Sequence, residues 1–168
     1  MLKIPKDILD AMVSHARELA PHECCGLLGG SDDLVTQLYR IKNVVALEGA
    51  ATVTHFDEAK VADLQHLTPE ERAEIAFVMD AHEQGSALKD MRANRIQLQV
   101  VYHSHPVSPA RPSPTDIKNA TEFEVIREKL NLPQPLHLII SLQDRANPDL
   151  RVYTIQNHQA VPAEFRPV

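Results

Sequence analysis

Residues 96–116 read IQLQVVYHSHPVSPARPSPTD, and three regimes meet in them. IQLQVVYH alternates polar and apolar residues and is rich in β-branched and aromatic types, which predicts a strand over 96–103. The connector holds Pro106, Pro109 and Pro112, and proline fixes φ and lowers the entropy lost on ordering. Ser113-Pro114-Thr115-Asp116 then places a cap residue before a proline at the first helical position, so a helix starts here and runs to about Leu130. A strand feeding a helix through a stiff loop predicts a sheet with helices packed against it.

The flanks agree with that frame. Pro5 with Ile8, Met12, Val13, Ala16 and Leu19 at helical spacing predicts a helix over 5–20, stopped by Pro21. CCGLLGG (24–30) reads as a buried strand entering a tight turn at its Gly pair, and 34–45 and 51–56 read as further strands. Residues 57–95 look helical. Thr68-Pro69-Glu70-Glu71 has capping-box grammar, Ile75, Val78, Met79 and His82 fall on one helical face, and Gly85 marks a break. Residues 135–142 and 150–156 form a closing strand pair. The expected class is mixed α/β (α+β), a single domain over 1–168 with a sheet flanked by helices.

A chain of 168 residues with 43% hydrophobic and 24% charged residues can bury one substantial core. A net charge of −6 argues against nucleic acid as a general partner, because phosphate contacts need a basic surface. No apolar run is long enough to span a bilayer, and MLKIPKDILD lacks the apolar core of a signal peptide, so no membrane partner and a cytoplasmic location are expected. The two cysteines, Cys24 and Cys25, are adjacent, which disfavours a disulfide and predicts small buried apolar residues.

His103 and His105 are two apart on a strand, so both side chains leave the same face and can reach one ion, while Ser104 points the other way. With nine histidines in the chain, such a pair alone is unsurprising. Asp116, at the third position of the following helix, points back toward the loop. Two imidazoles and one carboxylate suit zinc and leave a fourth position for water, a catalytic rather than a structural arrangement. A water on zinc needs a base, most often a carboxylate. Among 23 acidic residues Glu23, at the start of the buried 24–30 strand, has the best context, because desolvation there would raise its pKa.

His103-Ser104-His105-Pro106, six residues, then Ser113 and Asp116 resembles the JAMM (MPN-plus) motif HxHPx6SxxD. Pro21-His22-Glu23-Cys24-Cys25-Gly26-Leu27-Leu28-Gly29 resembles the upstream element that carries that family's glutamate, and the PARPS of the connector resembles its bacterial branch. The resemblance implies a cytidine-deaminase-like MPN/JAMM fold and a zinc metallopeptidase with one Zn2+ per chain. It implies His103, His105 and Asp116 as metal ligands, Glu23 as the general base and proton donor to the leaving amine, and Ser113 as a donor to the oxyanion. The implied reaction is hydrolysis of the peptide or isopeptide bond after the C-terminal Gly-Gly of a ubiquitin-like, sulfur carrier protein. Two alternatives remain: a non-catalytic MPN scaffold, against which the full ligand set speaks, and a RadC-like DNA-linked protein, against which the acidic balance and the sequence after His103 speak.

The span 57–95 is longer than in compact bacterial members, and the extra segment could grip a carrier, cap the groove or make a dimer contact. His15, His66 and His82 are expected to be exposed or boundary residues, His137 a structural residue of its strand, and His22 and His55 possible neighbours of the site.

Overall fold

A computed structural model describes residues 1–46, 58–129 and 131–168. In chain order these form β1 (Leu2–Ile4), α1 (Lys6–Leu19), β2 (Cys25–Ser31), β3 (Leu34–Ile41), α2 (Glu58–Gln65), α3 (Pro69–Ile75), α4 (Ala81–Ala93), β4 (Gln97–His105), α5 (Pro114–Lys129), β5 (Leu136–Ser141), β6 (Asp149–Gln156), β7 (Gln159–Ala163) and β8 (Phe165–Pro167). The eight strands make one mixed sheet in the order β7-β6-β5-β4-β2-β3-β1-β8. Only Glu164 separates β7 at one edge from β8 at the other. One residue spans under about 4 Å, so the sheet has to curl until its two edges adjoin. The expected mixed α/β class, a sheet flanked by helices, is what the chain adopts.

β4 sits in the middle, antiparallel to β2 and parallel to β5, which it reaches through α5. Side-chain alternation divides the core. Val100 and Tyr102 face α1 with Met12, Ala16, Leu28 and Leu138. Val101 faces the other way, with Cys25 and Leu27, against Ala87 and Met91 of α4. His103 and His105 therefore emerge on the α4 side. Leu98 joins that same side because the β2–β4 register slips between Leu28 and Gly29, and one extra β4 residue resets the alternation. Gly26 is obligatory where β2 crosses Tyr102, since a Cβ there would strike the tyrosine ring and the Tyr39 carbonyl.

Several expectations need correction. Residues 69–79 are not one helix. α3 carries the expected capping box at Thr68, but it ends at Ile75, and Asp80 caps a new helix through Glu83 N–H (2.8 Å). Ile75, Val78, Met79 and His82 thus share no helical face, because residues 76–79 are pulled straight by bonds to the chain leaving β3. Val44 N–H donates to the Val78 carbonyl (2.9 Å) and Asp80 N–H to the Lys42 carbonyl (2.9 Å). Gly85 lies inside α4 with open space around it and breaks nothing. The β2–β3 turn sits at Asp32-Asp33, both at positive φ, rather than at the Gly pair. His15 is buried, not exposed, because its Nδ1 reaches the Tyr102 hydroxyl (2.8 Å) under α1. β1, β7 and β8 had no strand signal: two are three residues long, and β7 and β8 contain Pro162 and Pro167, which edge strands tolerate. His66 and His82 are exposed as expected, and both cysteines are buried and free. The strand expected over 51–56, with His55, lies outside the described residues.

Candidate metal centre

The site is assembled where β4 ends and α5 begins. His103 Nε2 and His105 Nε2 lie 3.0 Å apart, and the Asp116 carboxylate reaches them with Oδ1 at 3.4 Å and Oδ2 at 3.5 Å. Ligands about 2.0–2.1 Å from a tetrahedral ion stand about 3.4 Å from one another, and the two imidazole nitrogens and the carboxylate of Asp116, each with an oxygen at 3.4–3.5 Å from one ring, lie near that spacing. All three side chains are largely shielded from solvent. Their donor set of two imidazoles and a carboxylate fits a divalent, borderline-soft metal.

Two features prepare these atoms. His105 Nδ1 is 2.8 Å from the Pro109 carbonyl, which can only accept, so the ring proton sits on Nδ1 and the Nε2 lone pair faces the other donors. Asp116 is fixed by a reciprocal helix cap: Ser113 N–H donates to its Oδ2 (2.6 Å), and Asp116 N–H donates to Ser113 Oγ (3.1 Å). The Ser113 hydroxyl therefore accepts within the cap and keeps its own proton for another acceptor.

The proline-rich connector is tied to the rest of the fold through its carbonyls. Ser108, Pro109 and Ala110 accept in turn from Ser141 Oγ (2.7 Å), His105 Nδ1 (2.8 Å) and Tyr153 Oη (2.7 Å). Prolines lack a donor, and this loop needs none at those positions.

Glu23 lies two residues before β2. The pairing Cys25↔His103, extended by Ser104 N–H to the Cys24 carbonyl (3.0 Å), aligns Glu23 with His105. Ser104 Oγ also accepts the Cys24 N–H (2.8 Å), so the residue between the two histidines locks the strand that carries Glu23. Glu23 is 6% exposed. Burial pushes its carboxyl well above the usual range, the Asp116 charge pushes the same way, and Lys60 on α2 opposes both. Burial also opposes the Asp116 charge, but the neighbouring His103 and His105 rings and the Ser113 N–H outweigh it and hold that carboxyl well below the ordinary value. For His105, burial disfavours the charged ring, yet the nearby Asp116 carboxylate and the Pro109 carbonyl leave its pKa raised.

A groove of about 280 Å³ opens at the site, lined by His103 and Asp116 together with Leu27, Phe77, Val101 and Phe123. Phe77 stacks on the His103 ring, centroids 4.7 Å apart at 29°. His137 also lines the groove, and its ring is held down to about 4 by burial, with His103 adding to the effect. Sequence reasoning missed Phe77, Ser104 and Lys60 as neighbours of the site. Phe77 and Lys60 carry no local signal, since it is the folding of 58–80 over β2 that brings them in. The Ser104 role follows only from the register with Cys24. His22 is half-buried beside Glu23, with its N–H on the Leu19 carbonyl.

The model of a family described as prokaryotic homologs of the JAB domain matches residues 5–156. The chain belongs to that family. Among characterised relatives, this JAB domain is 29% identical over 156 residues to the CysO-cysteine peptidase of Mycobacterium tuberculosis, spanning 92% of the chain and 83% of the relative. It is 29% identical over 150 residues to the desampylase of Haloferax volcanii, spanning 86% and 83%. Among solved structures, protein DSY2949 from Desulfitobacterium hafniense superposes with a TM-score of 0.69 at 30% identity, covering 100% of this chain and 93% of that one. The JAMM resemblance and the JAB/MPN fold are thus borne out. Among the described residues no helix is long and apolar enough to cross a membrane, and His103, His105 and Asp116 are the group of His, Cys, Asp or Glu residues able to hold one ion.

Proposed function

We propose that residues 1–168 act as one JAB/MPN-plus domain, a zinc metallopeptidase that hydrolyses the peptide or isopeptide bond after the C-terminal diglycine of a ubiquitin-like carrier protein. The observation that carries this reading is the spacing of 3.0–3.5 Å among His103 Nε2, His105 Nε2 and the Asp116 carboxylate, with the His105 lone pair already directed inward. These three would hold the ion, one per chain. Bound there, zinc supplies Lewis acidity and brings the pKa of a water toward neutrality.

The remaining steps belong to the protein. Glu23, buried and aligned with His105, takes the proton of the attacking water and returns it to the leaving amine. Burial favours this cycle because a carboxyl pushed upward is a stronger base toward the proton of the water. Ser113 turns its free hydroxyl proton to the oxyanion while its oxygen stays in the helix cap. The groove that His103 and Asp116 line would receive the diglycine tail. The names of the two relatives, one a peptidase and one a desampylase, support hydrolysis of bonds to carrier proteins as the reaction class. The complete ligand set weighs against a non-catalytic scaffold.

The test combines metal analysis with intact-mass measurement of carrier–peptide fusions. Wild type is expected to hold about one zinc per chain and to release the peptide after Gly-Gly. Glu23→Gln is expected to keep the zinc and lose at least a hundredfold in turnover, within the range for a positioned acid–base group of about 10²–10⁴. Turnover at the wild-type rate in Glu23→Gln would refute the mechanism.

A further inference from the structure

Asn43, just past β3, uses its whole side-chain amide. Its nitrogen donates to the Glu23 carbonyl (3.0 Å) and to the Ala76 carbonyl (3.1 Å). Its oxygen accepts the N–H groups of Val45 (3.2 Å) and Val78 (3.1 Å). Two donors and two lone pairs are the full capacity of the group. One planar amide thus ties three stretches of chain together: the entry to β2, the exit from β3 and the extended 76–79 segment.

The same stretches are joined by main-chain bonds. Glu23 N–H donates to the Ala73 carbonyl at the end of α3 (2.6 Å), so both backbone polar groups of Glu23 are held, one by α3 and one by Asn43. Ala76 and Val78, both bonded to Asn43, flank Phe77, whose ring lies on His103. No other residue type reproduces this pattern. Aspartate lacks the donors, serine has one donor, and glutamine places its amide one methylene too far.

We propose that Asn43 is a positioning residue for the reaction, holding the Glu23 backbone at the reach its carboxylate needs and fixing the Phe77 wall with the same amide. The inference rests on the reading of Glu23 as the base. Displacement by about 1 Å can cost about a hundredfold in rate, so a clamp on the base is expected to act on kcat.

The experiment uses the full chain loaded with zinc, a carrier–peptide fusion as substrate, and backbone amide exchange as a second readout. Asn43→Ala is expected to keep the zinc content of wild type and to lose tenfold or more in kcat with KM within threefold. Amide exchange at Glu23 and Val78 is expected to accelerate, while that at His103 and His105 stays unchanged. Asn43→Asp keeps the acceptor for Val45 and Val78 but lacks both donors, so Val78 exchange stays near wild type while kcat remains low. This second variant decides the matter if Asn43→Ala fails to fold. Turnover within twofold of wild type in a folded variant, a loss confined to KM, or a loss that merely follows lost zinc would overturn the inference. If Glu23→Gln retains turnover, the proposed function fails first and this inference with it. If Glu23→Gln is inactive while the Asn43 variants match wild type, only this inference fails.

Discussion

Replacing Ser104 by alanine tests how β2 and β4 are locked at the site. Ser104 and Cys24 are both fully buried, and Ser104 Oγ accepts the Cys24 N–H at 2.8 Å. Alanine removes the oxygen and leaves a space smaller than a water, so nothing can replace the acceptor. The Cys24 N–H is then buried without a partner, which costs about 1–3 kcal/mol. For a chain of this size, each 1 kcal/mol lowers Tm by roughly 2–4 °C, so a fall of about 2–12 °C is expected. The loss should appear in the denaturant midpoint with an unchanged m-value, because the folded and unfolded surfaces stay the same. The hydrogen bond of Ser104 Oγ goes to Cys24 and not to the proposed ligands His103, His105 and Asp116, so zinc stoichiometry should hold. The assay is paired urea and thermal unfolding of metal-free wild type and Ser104→Ala. A difference under about 0.5 kcal/mol, the level of an ordinary surface change, would show that the hydroxyl does not carry this bond and would refute the register argument for Glu23.

Two further outcomes follow from the geometry. Asp116→Asn keeps an oxygen for the Ser113 N–H, so the metal-free chain should fold, whereas zinc affinity measured by competition with a chelating dye should fall by more than the roughly hundredfold typical of losing an outer-shell partner. His15 is held neutral down to about pH 4 by burial, with Arg40 adding to it, whereas an unfolded histidine takes up its proton near pH 6.5. The unfolded chain therefore binds more protons between these values, and stability is lost as pH falls through that window. His15→Gln, which keeps a partner for Tyr102, should flatten the drop in stability between pH 7 and pH 5 by an amount on the order of 1 kcal/mol. An unchanged pH slope in denaturant unfolding would rule His15 out as its source.

The parts of the site that were legible in sequence are those fixed by short-range rules. Alternation along one strand puts His103 and His105 on the same face, and cap chemistry puts Asp116 at the third position of α5, with a rigid loop between them. These relations span fourteen residues and hold in any fold that keeps the strand and the helix. The capping box at Thr68 was legible for the same reason. The helix expected across Ile75–His82 was not adopted, because Asn43, Lys42 and Val44 offer residues 76–80 bonds that compete with helical ones. His15 gave no sign of burial, since its partner Tyr102 is 87 residues away and on another element.

The sequence by itself therefore determined the grouping of His103, His105 and Asp116 and the cap at Ser113, and motif resemblance named Glu23 without saying how it arrives. Only the tertiary structure decided that arrival. Glu23 lies eighty residues before His103, and it meets the trio because β2 pairs with β4 in one register, sealed by Ser104, and because α3 and Asn43 hold its backbone. Local chemistry prepares the lone pairs within one strand–loop–helix unit. The partner carboxylate comes from a different strand, and non-local pairing of that kind leaves no periodicity in the chain to read.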